Sequence, residues 1–338
     1  MPIFFYLIFT LLTLLIIFIS QRYKFFYDNK RDNHKRAFNP QKNYFLGGLI
    51  LFIFVSIYLI FNSSYTELIF LFLIFLIGLF SDFKLLNDPK KRFILQAVVI
   101  FIFVYILDTK IMSTRINIMD TYLQNEYLNY VFVVFCLMVL MNGSNFIDGL
   151  NTLLITYKII ILLTLLIVFE IYLNTPQYIY ELFFVLLIIF IFNLFGKIIL
   201  GDSGAYLISI IFGLNLINFS NEYYLFSPFF IILLLWYPCF ELLHSMTRRI
   251  ISNKKSYDAD IKHLHQLLYS KIFKNKKQNF KINHFTTSII INLYNFISFS
   301  LGTMFIYNSE VLIFIIFSNI FVYMIIYNFL KNQKKTNK

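Results

Sequence analysis

The chain has 338 residues, of which 59% are hydrophobic and 20% aromatic, with a mean hydropathy of +0.73 and a formal net charge of +12. That balance excludes an ordinary soluble domain and points to a membrane class. The basic excess lies in short gaps between apolar runs, the pattern of cytoplasmic membrane loops and not of a nucleic-acid surface.

In chain order, apolar runs occupy residues 3–19, 46–60, 68–80, 93–107, 131–141, 153–173, 178–195, 205–217, 224–243, 288–306 and 311–329. A bilayer asks for about 20 apolar residues per helix, so the shorter runs are expected to extend into flanking polar residues. The expected fold is all-α and polytopic, one integral membrane domain over residues 1–338 with about eleven transmembrane helices. The first run has no basic leader before it and no small-residue cleavage site after it, so it is expected to stay as a first span. Cys136 and Cys239 both fall inside apolar runs and suit packing, not a disulfide framework or a zinc site.

Lys and Arg set the expected orientation. Arg22 to Lys42, Lys84 to Arg92, the segment 244–285 and the tail from Lys331 are basic, whereas the alternate gaps hold few cations. The positive-inside rule then puts the N-terminus outside and the C-terminus in the cytoplasm. Residues 244–285 are expected to form a basic cytoplasmic loop. All five histidines, His34, His244, His263, His265 and His284, are read as lying in cytoplasmic gaps. No ionisable group is expected near the middle of a run, with Glu170, Glu181 and Glu241 placed close to helix ends, and this weighs against an ion-coupled transporter.

The polar clusters fall on that same side. Between two apolar runs lies Met-Asn-Gly-Ser-Asn-Phe-Ile-Asp-Gly-Leu-Asn over residues 141–151, whose Asn142, Asn145, Asp148 and Asn151 share one face if the segment is helical. Taken alone it reads equally well as a polar turn. Gly201-Asp202-Ser203-Gly204 opens a run and offers backbone N–H groups and a positive dipole end to an anion, although such a sequence is more often a simple helix cap. Scattered Asp and Asn oxygens suit Mg²⁺, which keeps waters and lets substrate phosphates complete its shell. The Lys, Arg and His of residues 244–285 suit phosphate oxygens. A nucleoside diphosphate would satisfy both.

Five blocks in order carry a resemblance: Gly47-Gly48; Gly78-Leu-Phe-Ser-Asp82 with Arg92 and Gln96; Asn142 to Asn151; Gly201 to Gly204; and Asp260-Ile-Lys-His263-Leu-His265. In these the chain resembles the polyprenyl-phosphate N-acetylhexosamine-1-phosphate transferases, membrane enzymes that begin cell-envelope glycan assembly on a lipid carrier. The resemblance implies attack of undecaprenyl or another polyprenyl phosphate on a UDP-N-acetylhexosamine, with Mg²⁺ or alternatively Mn²⁺ and release of UMP. It implies Asp202 and Asn145 as metal ligands, with Asp82, Asp148 and Asp202 as the catalytic acids. Asn142, Asn145, Asn151, Arg92, Asp260, His263 and His265 would contact substrate. The implied partners are the nucleotide sugar, the lipid and the inner membrane, with no nucleic acid and with a homodimer left open.

The chain departs from the family pattern at three places. Ser81 stands where a paired acid is common, Asn151-Thr152 ends a block that commonly ends Asp-Gly, and Gln266 stands where another His is common. Asn remains an oxygen donor and Ser a hydrogen-bonding group, so a divergent active member is expected. An inactive member and a transporter of anionic or lipid-linked substrates are the alternatives. Because a phosphate monoester has a second pKa near ~6 and is largely dianionic at neutral pH, direct attack is expected in place of an aspartyl-phosphate at Asp82.

Overall fold

A computed structural model of the chain describes residues 3–27, 44–173, 175–253, 262–273 and 280–336. Among the described residues the structure is helical, with thirteen helices and no strand. In order these are α1 (Ile3–Tyr23), α2 (Gly47–Phe61), α3 (Tyr65–Asp82), α4 (Pro89–Ile106), α5 (Asn117–Leu123), α6 (Glu126–Ile147), α7 (Leu153–Tyr172), α8 (Gln177–Leu194), α9 (Gly201–Glu222), α10 (Pro228–Ile251), α11 (Leu264–Phe273), α12 (Phe280–Met304) and α13 (Ser309–Thr336). Eight of them, α1, α3, α6, α7, α8, α9, α10 and α13, are long and apolar enough to cross a membrane, which makes this a multi-pass membrane protein. Helix α2 is a shorter apolar helix of 15 residues.

The chain divides into two compact units, Met1–Val99 with Asp148–Ile208, and Ile100–Ile147 with Ser209–Lys338. In the first, α2 packs on α3 and α8, and α7 packs on α8. Close approach depends on glycine. A Cβ on Gly48 would sit 2.6 Å from the backbone nitrogen of Gly204, and one on Gly47 would sit 2.9 Å from Cα of Leu200. The Gly47-Gly48 pair therefore serves backbone packing, the role small residues commonly take between membrane helices. Helix α7 is buried along most of its length and starts after Thr152, whose φ is +69°. The turn before it is tied to the end of α8, where Asn193 accepts from the Thr152 amide at 2.6 Å and donates to the Ile198 carbonyl at 2.9 Å.

In the second unit α10 is the central element, packed on α6, α12 and α13, while α11 packs on α12 and α13. Polar side chains join the helices where hydrocarbon offers no competing water. The Trp236 indole donates to Asn295 at 2.9 Å, Asn319 donates to Ser298 at 2.7 Å, and the Tyr294 hydroxyl donates to Asn319 at 2.7 Å. Arg115 binds two turns together by donating to the carbonyls of Tyr224, Leu225 and Tyr307.

Several helices run past their apolar cores, and two expectations change as a result. Residues 244–285 are not one loop: their described part holds the last two turns of α10, all of α11 and the first turn of α12. His244 and His284 accordingly lie inside helices, not in gaps. The reason is a polar face turned inward, since Ser245 and Arg249 on α10 and Asn283, His284, Thr287 and Ser288 on α12 are buried. Hydropathy counts such residues as the end of a span, but burial lets the helix continue through them. The same extension leaves Glu241 in the middle of α10, buried, and Lys158 is buried within α7. The expectation of no ionisable group near the middle of a run was therefore wrong at Glu241.

Helix α6 meets α10 at Gly143, where an added Cβ would lie 2.7 Å from the carbonyl carbon of Pro238. Gly143→Ala should destabilise the second unit by about 1–3 kcal/mol through overpacking against backbone. A lowered thermal midpoint of the detergent-solubilised protein is the expected readout, and an unchanged midpoint would contradict the contact.

Candidate functional site

Within the first unit, two of the sequence blocks meet at the start of α9. Asp82, the last residue of α3, directs both carboxylate oxygens at that helix end: Oδ1 accepts from the Asp202 amide at 2.7 Å, and Oδ2 accepts from the Ser203 amide at 3.1 Å and the Ser203 hydroxyl at 2.7 Å. The first N–H groups of a helix have no intrahelical partner and carry its positive dipole end, so a carboxylate from another helix satisfies both demands. Two glycines make the approach feasible. Gly201 has φ +72°, and a Cβ there would lie 2.7 Å from Asp82 Oδ2; one on Gly78, a turn before Asp82, would lie 2.7 Å from the Ser203 nitrogen.

Asp202 is thereby held beside the end of α3. Its Oδ2 accepts from the Ser81 hydroxyl at 2.5 Å and from the Arg92 guanidinium at 3.1 Å, and Arg92 also bonds the Ser81 hydroxyl. The Asp202 and Arg92 side chains keep 11% and 25% exposure, so the pair is largely buried, with Arg92 the more open of the two. Gln96, one turn beyond Arg92, is buried beside Tyr206 of α9. The cluster thus gathers two carboxylates, one guanidinium and a helix end worth about +0.5 charge. Such a set has the chemistry to hold a phosphate on its basic members and a divalent cation on a carboxylate.

The central block divides. Asn142 and Asn145 lie in the last two turns of α6 in the second unit, with Asn142 donating back to the Met138 carbonyl at 2.9 Å. Helix α6 ends at Ile147, so Asp148 and Asn151 sit in the following turn, in the first unit, and the four residues do not share a helical face. The backbone turns over residues 148–152 and passes through the left-handed Thr152 before α7 begins, so α6 does not continue through the block. Asp148 is half-buried and Asn151 is buried.

The histidine block forms a second cluster, inside the second unit. His263 Nδ1 is 2.9 Å from Glu241 Oε1, and the Tyr323 hydroxyl donates to Glu241 Oε2 at 2.8 Å. His265 stacks on His263 with ring centroids 5.6 Å apart and planes 6° from parallel, while Phe146 packs on His263 from the other partner helix, α6. Arg249 lies over the Phe146 ring at 5.4 Å. Complete burial, with His263 alongside, pushes the His265 ring down to about 3, so it stays neutral at physiological pH. Among the described residues neither ring nitrogen of His265 has a hydrogen-bond partner. Asp260 lies outside the described residues.

The structure therefore brings Asp82, Arg92 and Asp202 together in one unit and His263 and His265 together in the other. Sequence reasoning named Ser81 as a hydrogen-bonding group but missed Ser203, Glu241, Tyr323 and Asn193 as partners. Ser203 sits inside a quoted block and could have been found there. Glu241 had one signal, an acid 14 residues into a 24-residue helix, but Tyr323 and Asn193 look like any other residue of an apolar run.

Residues 64–220, which include the Asp82 and Asp202 cluster and the central block, match the model of glycosyl transferase family 4. That is the family of the polyprenyl-phosphate hexosamine-1-phosphate transferases. No curated protein matches the chain.

Asp82→Asn would set an amide donor against the N–H donors of α9 and should cost about 1–2 kcal/mol, the usual range for a lost cap. Ser81→Ala, which leaves the cap intact, should change the thermal midpoint much less; equal losses would deny Asp82 this role. His265 adds a pH dependence whose sign follows from its depressed folded value. An unfolded His takes up a proton near pH 6.5, so this stability is fully present above that pH and is lost as pH falls toward about 3, at up to about 1.4 kcal/mol per pH unit. Thermal midpoints measured from pH 7 to 4 should fall less steeply in His265→Gln than in the native protein.

Proposed function

Starting from the membership of residues 64–220 in glycosyl transferase family 4, we propose that the chain transfers a sugar 1-phosphate from a UDP-N-acetylhexosamine to polyprenyl phosphate at the cytoplasmic face of the inner membrane. In the proposed topology it crosses the bilayer about eleven times, with the N-terminus outside and the C-terminus in the cytoplasm. The observation that carries the reading is the cluster at the start of α9, where Asp202 is held 3.1 Å from Arg92.

In this reaction an oxygen of the lipid phosphate attacks the β-phosphorus of the nucleotide sugar. The bond from that phosphorus to the bridging oxygen breaks, and UMP leaves with that oxygen. Phosphoryl transfer asks mainly for alignment and for neutralisation of spread negative charge. Arg92 supplies a fixed cation with planar donors suited to phosphate oxygens. Asp82 has both oxygens engaged by α9, which supports a positioning role over a nucleophilic one. Direct attack by the lipid phosphate follows, without an aspartyl-phosphate.

The residues fit a divalent cation of the kind the family implies. Mg²⁺ is commonly held by one or two carboxylates with water and substrate phosphates completing its shell. Asp202 bonds Ser81 and Arg92 through Oδ2, whereas Asp82 has both oxygens engaged at the start of α9, and no group of three His, Cys, Asp or Glu assembles among the described residues. Asp202 would hold Mg²⁺ or Mn²⁺, which when bound supplies positive charge to the diphosphate. Sugar choice and the glycan made from the product are proposed only as far as an N-acetylhexosamine for the cell envelope.

Solubilised protein given undecaprenyl phosphate, Mg²⁺ and a panel of UDP-sugars should release UMP and form the lipid diphosphate sugar with at least one donor. Asp202→Asn should lower the rate by about 10²–10³-fold, the loss typical when one group that stabilises transition-state charge is removed. Absence of UMP with every donor, together with flux of anionic substrate in liposomes, would replace this reading with transport.

A further inference from the structure

We propose that Glu241 is the positioning residue for His263, fixing the ring's tautomer and orientation for contact with the nucleotide sugar, with Tyr323 holding Glu241 in turn. This rests on the reading of His263 as a substrate contact in the transferase reaction.

The argument begins with where Glu241 sits. It is the fourteenth residue of the 24-residue α10 and is 1% exposed, deep in a helix apolar enough to span a membrane. A carboxylate in that position is costly unless each oxygen finds a donor, and ionisable groups within membrane helices are accordingly functional candidates. Both oxygens here have one. Oε1 receives His263 at 2.9 Å, and Oε2 receives the Tyr323 hydroxyl from α13 at 2.8 Å. Two separate elements converge on one acid, which goes beyond what solubility or helix packing requires.

Chemistry assigns the direction of the device. With the carboxylate as acceptor, His263 Nδ1 carries the proton, and the partner made by one ring nitrogen decides the state of the other. Nε2 is then the ring atom left for a phosphate or hydroxyl of the substrate. Two rings neighbour His263 and restrict its rotation, His265 with centroids 5.6 Å apart and planes 6° from parallel, and Phe146 at 5.0 Å with planes 58° apart. A carboxylate, a histidine with a defined tautomer and aromatic walls make an orienting assembly of the same logic as the acid behind a catalytic histidine. Among the described residues, the acid paired with His263 is Glu241.

Glu241→Gln preserves shape and tests the charge and the acceptor. It should lower kcat for UMP release by about 10–100-fold, the range seen when the partner behind a functional histidine is removed, with little change in KM for the nucleotide sugar. The double variant Glu241→Gln with His263→Gln should be no slower than His263→Gln alone. An activity-independent readout is the imidazole ¹⁵N spectrum of histidine-labelled protein, assigned by the resonance lost in His263→Gln. The native protein should show His263 with Nδ1 protonated, and Glu241→Gln should mix the tautomers. A weaker change of the same sign is expected for Tyr323→Phe. Losses that multiply in the double variant, or an unaltered His263 tautomer in Glu241→Gln, would overturn the positioning role. Full activity of His263→Gln would instead overturn the reading of His263 as a substrate contact, and the positioning role with it.

Discussion

The structure of the first unit turns on one interaction, a carboxylate at the end of one membrane helix filling the open N–H groups at the start of another. Asp82 does this for α9, and the arrangement constrains everything near it. Gly78 and Gly201 must lack side chains for the backbones to come so close, and Ser203 must bring a hydroxyl to share the acid. Asp202 then has no freedom to wander, because its own amide is one of the captured donors. A helix end that would otherwise leave unsatisfied donors becomes the mount for Asp202 and its paired arginine.

Substitution of Ser81 for the acid common in the family gains meaning from this geometry. A second carboxylate at that place would lie against Asp202 Oδ2, where the Ser81 hydroxyl now donates at 2.5 Å. Serine turns a like-charge contact into a hydrogen bond and lets Arg92 pair with Asp202. The departure therefore preserves an ordered acid with less negative charge around it, a change of electrostatics and not a loss of the site.

In the second unit, polar residues have a different task. Asn295, Ser298 and Asn319 join helices, and Arg115 ties the turns that follow α9 and α12. Glu241 belongs to neither group, since its partners are the histidine of a quoted block and a tyrosine 82 residues away in sequence. That separation between packing polarity and oriented polarity is visible only when partners are known, because composition treats Asn, Glu and Tyr within a greasy helix alike.

Much was legible in the amino-acid sequence alone. Apolar runs marked the long helices, since a chain in hydrocarbon must satisfy its backbone within each segment. Short blocks such as Gly78 to Asp82 and Gly201 to Gly204 named the residues of the acid cluster and lie within the stretch, residues 64–220, that matches the family model. Tertiary structure decided what those blocks do to each other: that Asp82 caps α9, that Ser81 bonds Asp202, and that the face expected across Asn142 to Asn151 breaks at Ile147. It also decided that α10 and α12 continue through polar residues, placing Glu241 mid-helix. The physical reason is common to all of these. Hydropathy and spacing report what each segment does with water and with itself, whereas a hydrogen bond between residues 82 and 202 depends on which helices pack, and no local pattern encodes that.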